Sequence, residues 1–197
     1  NEIEKLLNLS SFSNKRLFLN LELGKAYYEI NEVSISKKLF EDIVSENSKK
    51  KETAEAYYYL AKISMDEGFD LLIIKDLLEK SKSERSSSKH GKMSKKLLNK
   101  IELLEDIIYE YDYSFTDEMI NSPENLDSDS LLFSMAQSFY FDFNQVDSSI
   151  NRHGELIKKF NDSKYAPKSA FVLSIIDSSN QNWKNFLDSN YANFKTS

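Results

Sequence analysis

Apolar residues recur at three- and four-residue steps along most of this chain. Met93, Leu97, Ile101, Leu104, Ile107, Ile108 and Tyr111 form one stripe, and Leu17, Leu21, Gly24 and Tyr28 form a second. Val33, Lys37, Phe40, Ile43 and Val44 make a third, with a lysine stem at its edge, and Tyr57, Leu60, Ala61, Ser64 and Met65 a fourth. Such spacing gathers side chains on one face of an α-helix. The strict alternation of a half-buried strand never persists beyond a few residues. Breaks between stripes are short and polar: Asn31-Glu32, Asn47 to Lys51, Glu67-Gly68, Ser86-Ser87-Ser88 with Gly91, Ser122-Pro123, Asn161-Asp162-Ser163 and Asn180-Gln181-Asn182. Gly68 is expected to take the left-handed position that ends a helix. Asp127 or Ser128 is expected to cap a helix over 130–143. The pattern predicts an all-α chain.

The helices repeat. When the chain is slid along itself until Asn20 meets Phe133, Asn20–Ser64 lies on Phe133–Asp177 without a gap. Tyr27 then falls on Tyr140, Asn31 on Asn144, Val33 on Val146, Ser36 on Ser149, Leu60 on Leu173 and Ile63 on Ile176. A shorter step leads from Leu23 to Leu60 and again from Leu60 to Leu97. Three such steps nearly fill the longer shift, and a period in the mid-thirties marks stacked helix-turn-helix units.

These positions resemble the tetratricopeptide pattern. Leu23-Gly24-x-x-Tyr27 gives the large, small and aromatic residues of a first helix, and Leu60-Ala61 keeps the apolar-small pair. Ser36 and Phe40 give the small residue and the aromatic of a second helix. The run from Leu156 to Ala170, with Phe160, Ser163, Tyr165, Ala166 and Pro167, resembles the inter-repeat segment of periplasmic tetratricopeptide proteins; Asn161 stands where they have proline. Those proteins include a lipoprotein subunit of the outer-membrane β-barrel assembly machinery. The resemblance implies a right-handed α-solenoid of antiparallel helix pairs, about ten helices, as one array over 1–197. Residues 1–14, with Ile3, Leu6, Leu7 and Leu9, are expected to form a partial helix or cap. Residues 100–127 are expected to hold an irregular third repeat. The helix from Gly91 to about Tyr111 is too long for one arm, and Thr116–Asn121 is too short.

Composition supports helices joined by short turns. There are only 4 Gly and 2 Pro, far below ordinary usage of about 12%, and sheets with tight hairpins need glycine. The chain has no Cys, which removes disulfides, thiolate nucleophiles and zinc–thiolate sites. The net charge of −6 argues against nucleic acid as a partner. Charge is also divided. Eight basic residues and one acid, Glu84, lie between Lys80 and Lys100, whereas Ile101–Ser149 holds twelve acids and no Lys or Arg. Either these runs are solvated surface, or the acidic span docks a basic partner. No apolar run is long enough to span a bilayer. The chain starts at Asn1 rather than Met, so membrane association is expected only through an anchor upstream.

Candidate chemistry is sparse. No phosphate-loop, nucleophile-elbow or zinc-protease motif occurs. His153, on the place of Phe40, is expected to pack, and His90 to be exposed in its Ser/Lys-rich turn. Asp127-Ser128-Asp129 opens like a calcium loop but lacks its glycine and closing glutamate. No catalytic, cofactor or metal residue is expected. The resemblance places a binding groove on the concave face of the first helices. Phe18, Leu21, Lys25, Tyr28, Tyr58, Lys62, Met65, Asp66, Leu131, Phe141, Asp142, Phe171 and Ile175 fall there. The partner-binding set is Lys25, Tyr28, Tyr58, Lys62, Met65, Asp66, Phe141, Asp142 and Phe171. The expected function is a non-catalytic scaffold for a peptide segment or helix in the bacterial periplasm. A cytoplasmic, enzyme-associated repeat domain and a glycan-binding module are the alternatives.

Overall fold

The structure, a computed structural model, describes residues 2–7, 9–116 and 127–190. Among them are ten α-helices, one 3-10 helix and no strand. The helices are α1 (Glu2–Leu7), α2 (Arg16–Glu29), α3 (Val33–Glu46), α4 (Lys51–Glu67), α5 (Leu71–Glu84) and α6 (Lys89–Tyr113). After the acidic span come α7 (Ser128–Phe141), α8 (Val146–Lys159), α9 (Ala166–Ile176) and α10 (Gln181–Asn190). The 3-10 helix covers Ser10–Lys15. Helices pack chiefly on their sequence neighbours: α2 on α3, α3 on α4, α4 on α5, then α7 on α8, α8 on α9 and α9 on α10. Nearest-neighbour packing of this kind is the helical-repeat architecture that the pattern predicts. The residues group into two compact units, one ending at Ile101 and the other beginning at Glu102, within α6.

The turns show the repeat most directly. Asn31, Phe69 and Asn144 have φ of 62°, 53° and 56°, and each stands two residues before the second helix of its pair. Asn31 and Asn144 are partners in the long register. Asparagine tolerates this left-handed region better than most residues. Gly68 does not take it: its φ is −175°, and Phe69 makes the turn instead. Asp70 follows as the cap of α5, its carboxylate accepting from the Leu72 and Ile73 amides at 2.9 and 3.2 Å.

Asn31 and Phe69 stand one short step apart, whereas Phe69 and Asn144 stand about two steps apart. One turn is missing. Its place, near Asp106, lies inside α6, which runs unbroken from Lys89 to Tyr113. Glu105-Asp106-Ile107-Ile108 offers no Gly or Asn to leave the helix. The expected irregularity of 100–127 is therefore, over 100–113, a turn replaced by helix. Residues 117–121 of the expected short arm lie outside the described residues.

Small residues sit where helices cross. The Ser36 hydroxyl on α3 donates to the Gly24 carbonyl on α2 at 2.8 Å. A Cβ on Gly24 would lie 2.7 Å from the Phe40 ring. Ser81 on α5 donates to the Ala54 carbonyl at 2.6 Å. Leu21, Phe40, Ile43, Ala56, Leu60 and Ile63 form a core cluster in the first unit. Ile157, Ala170, Leu173 and Leu187 form a core cluster in the second. The short step fails at its third point: Leu97 is half-buried, and Leu98 is the core residue. Helix α7 begins and ends two residues before its expected limits, and Asp127 gives it no side-chain cap. Pro167 lies in the first turn of α9, where its missing N–H matters least.

Candidate functional site

In the first unit the expected binding residues come together, but they bind one another. Lys25 and Tyr28 project from α2, and Tyr58, Lys62 and Asp66 from α4. The Tyr28 hydroxyl donates to an Asp66 carboxylate oxygen at 2.6 Å. The Lys62 ammonium lies 4.9 Å from the Tyr28 ring centre and 5.6 Å from that of Tyr59. Tyr59 stacks on Phe40 at 5.3 Å. The Lys25 ammonium pairs with Glu22 at 2.7 Å and Glu55 at 3.1 Å.

His90, expected to be exposed, is drawn into this cluster. Its imidazole has 12% of its surface exposed, with Nδ1 at 3.3 Å from a Glu55 oxygen and the ring 5.3 Å from Tyr58. Burial alone would raise Glu55, but His90 and Lys25 outweigh it and hold the carboxyl below its ordinary range. Burial, then the bond to Asp66, raises the Tyr28 hydroxyl far above its ordinary range. Burial also raises Tyr58. Met65 and Leu21, expected in the groove, are buried.

The second unit carries the same positions with different chemistry. In the long register Tyr28 becomes Phe141, Tyr58 becomes Phe171 and Lys62 becomes Ile175. Phe141 is 73% exposed, Ile175 58% and Phe171 45%. Phe141 stands on the rim of two cavities. One, of about 180 Å³, is lined by Gln137, Tyr140, Phe141, His153, Val172, Ile175 and Ile176. The other, of about 360 Å³, adds Leu103, Ile107 and Asp142. Leu103 is also largely exposed. The Asp142 carboxylate accepts from the Ser138 hydroxyl at 3.2 Å.

His153 is buried, as its register position implies, with Nδ1 3.0 Å from the Ser169 hydroxyl. Burial lowers its pKa to about 4, so the ring is neutral near pH 7 and adds no charge to the cavity. Among the other expected groove residues, Phe18 is exposed and Leu131 half-buried.

The charge division has a structural address in each unit. In the first, Arg85 and Lys89 of the basic run line a cleft of about 570 Å³ together with Lys49, Lys50 and Lys51 and the acids Glu52 and Glu55. In the second, Glu102, Asp106 and Glu110 are exposed along the same helix as Leu103 and Ile107.

Among the described residues no group of three or more His, Asp or Glu is placed to hold a metal. No helix there is long and apolar enough to cross a membrane. No protein-family model, no curated protein and no solved structure matches this chain. What the fold and the two faces define is a class: an all-α helical-repeat protein whose first helices carry an internally paired polar cluster in one unit and an exposed apolar face in the other.

Sequence reasoning missed Tyr59, Glu55, Val172 and Gln137. The long register held the signal, since it sets Tyr59 against Val172 and Gly24 against Gln137.

Proposed function

We propose that this chain is a non-catalytic scaffold of tetratricopeptide-like build, which binds a protein partner on the first-helix face of its second unit. The observation that carries this reading is the cluster Leu103, Phe141 and Ile175, large apolar side chains left mostly in water beside two cavities. Exposed apolar clusters rimmed by polar residues are typical of docking surfaces. The acids around them suit a partner that is basic as well as apolar. A preordered helical face limits the ordering entropy lost on docking. The equivalent residues of the first unit, tied to one another, serve the fold.

The setting we propose is a bacterial cell envelope. It rests on the resemblance of the Leu156–Ala170 segment to periplasmic repeat proteins. Fractionation of the tagged full-length protein in its source organism tests this, and recovery in the cytosol alone would reject it.

The binding reading is tested by capture from native extract with mass spectrometry. Phe141→Ser together with Phe171→Ser is expected to lower partner recovery about tenfold or more, as loss of central anchors does, with helicity unchanged. Tyr28→Ala with Tyr58→Ala is expected to leave recovery intact after correction for folded fraction. Equal recovery with Phe141 and Phe171 replaced would reject the assignment of the face.

A further inference from the structure

The smaller cavity beside Phe141 in the second unit has a filled counterpart in the first. Five of its seven lining positions differ across the register, and three of those differences open the space. Phe40, Tyr59 and Lys62 correspond to His153, Val172 and Ile175. In the first unit the Phe40 and Tyr59 rings stack at 5.3 Å and 23°, and the Lys62 ammonium closes over the Tyr59 ring. In the second unit an imidazole replaces one ring and a valine the other, and the lysine lid becomes an isoleucine. Aromatic bulk lies instead outside the cavity lining, where Phe133 is 5.5 Å from the imidazole and stacks on Tyr165 at 5.0 Å. Space that holds an aromatic ring in one half is therefore open in the other.

Resting on the docking face assigned above, we infer that this cavity receives one aromatic side chain of the partner, presented by a segment with Lys or Arg beside it. Size and lining agree with a ring: apolar cavities of about 150 Å³ take up benzene, and this one measures about 180 Å³. Tyr140 and Phe141 offer ring edges and faces at its mouth, a setting that favours aromatic contacts. The flanking charge follows from the rim. Asp142 borders the adjoining cavity, and Glu102, Asp106 and Glu110 are exposed on α6. The 101–149 span holds no Lys or Arg; on the helices that complete the cavity, Arg152 pairs with Glu155 at 2.8 Å and the Lys168 ammonium lies over the Tyr165 ring.

The test uses the whole chain with methyl-labelled Ile, Leu and Val. The probe is the capped tripeptide acetyl-Lys-Phe-Lys-amide, followed by NMR. Saturable shifts are expected at the methyls of Val172, Ile175 and Ile176. Affinity is expected to fall about tenfold or more for acetyl-Lys-Ala-Lys-amide and for acetyl-Glu-Phe-Glu-amide. Val172→Tyr restores the ring of the first unit and is expected to abolish the shifts at the remaining methyls while keeping or raising the melting temperature. Ile175→Lys, at an exposed position, restores the lid and gives the same loss should the tyrosine variant fail to fold.

Absent shifts, an equal response to the alanine peptide, or full binding by both variants would each overturn the inference. So would a dimer in sedimentation that Val172→Tyr dissolves, because a second copy would then be the occupant. The docking face has a separate readout: a native partner that both variants still capture, but that the Phe141 and Phe171 double variant loses, leaves the face standing and removes the cavity from it.

Discussion

Ser36 and Ser149 occupy the same repeat position and are both fully buried, yet the Ser36 hydroxyl donates to the Gly24 carbonyl at 2.8 Å and the Ser149 hydroxyl has no partner among the described residues. A buried hydroxyl without a partner carries its desolvation penalty uncompensated. Ser36→Ala is therefore expected to destabilise the protein by about 1 kcal/mol, and Ser149→Ala to stabilise it by a similar amount. Urea unfolding of both variants checks the opposite signs.

Gly24 and Gly91 are small for different reasons. An added Cβ at Gly24 meets the Phe40 ring at 2.7 Å, whereas at Gly91 it runs into the Arg85 carbonyl oxygen, closer still. A ring can shift, but backbone in a tight turn yields less. Both alanine variants are expected to be destabilised by about 1–3 kcal/mol, Gly91→Ala the more so. A melting temperature for Gly91→Ala equal to that of the parent would contradict the packing of the 85–88 turn on α6.

His153 gives stability a pH dependence. Its pKa is about 4 in the folded chain against 6.5 when free of burial. Above pH 6.5 both states are neutral and stability does not change through this group. As pH falls from 6.5 towards 4, the unfolded chain takes up a proton that the folded chain refuses. Stability then drops by about 3 kcal/mol in total and levels off below pH 4. Glu55 and Glu155, both held below the ordinary carboxylate range, add their losses below about pH 4.5. His153→Phe is expected to flatten the upper part of the curve, between pH 6.5 and 4.5. Chemical unfolding across pH 4–8 measures it.

The Tyr28–Asp66 bond links the first helices of two successive pairs. Tyr28→Phe removes the donor and keeps the ring under Lys62. It is expected to lower stability by about 0.5–1.5 kcal/mol and leave partner recovery unchanged. A fall in recovery beyond the unfolded fraction would assign Tyr28 to binding after all.

Much of the fold was legible because periodicity and register are local properties of the sequence. Stripes at three- and four-residue steps located the helices, and the long shift located matching turns at Asn31 and Asn144. Gly68 misled because glycine merely permits a left-handed turn, whereas the turn's position is set by where α5 must begin. His90 misled because its neighbours Tyr58, Tyr59 and Glu55 come from α4, a helix well before it in the chain. Of the candidate site, the spacing placed the named residues on one face of the first helices, but it did not tell whether their side chains were already engaged. That depends on pairs such as Lys25 with Glu55 and Tyr28 with Asp66, which no spacing rule reveals.

The duplicated register also has a consequence at the bench. Asn20–Ser64 and Phe133–Asp177 share a turn and most of a helical framework while differing in what fills the space beside Phe40 or His153. Each molecule thus contains its own reference compound. A ligand that merely sticks to aromatic protein surface will disturb signals from the half-buried Val44 beside Tyr57 as readily as those from Val172, Ile175 and Ile176. A ligand that reads the cavity will disturb only the methyls that line it, in one tube, at one concentration and in one buffer.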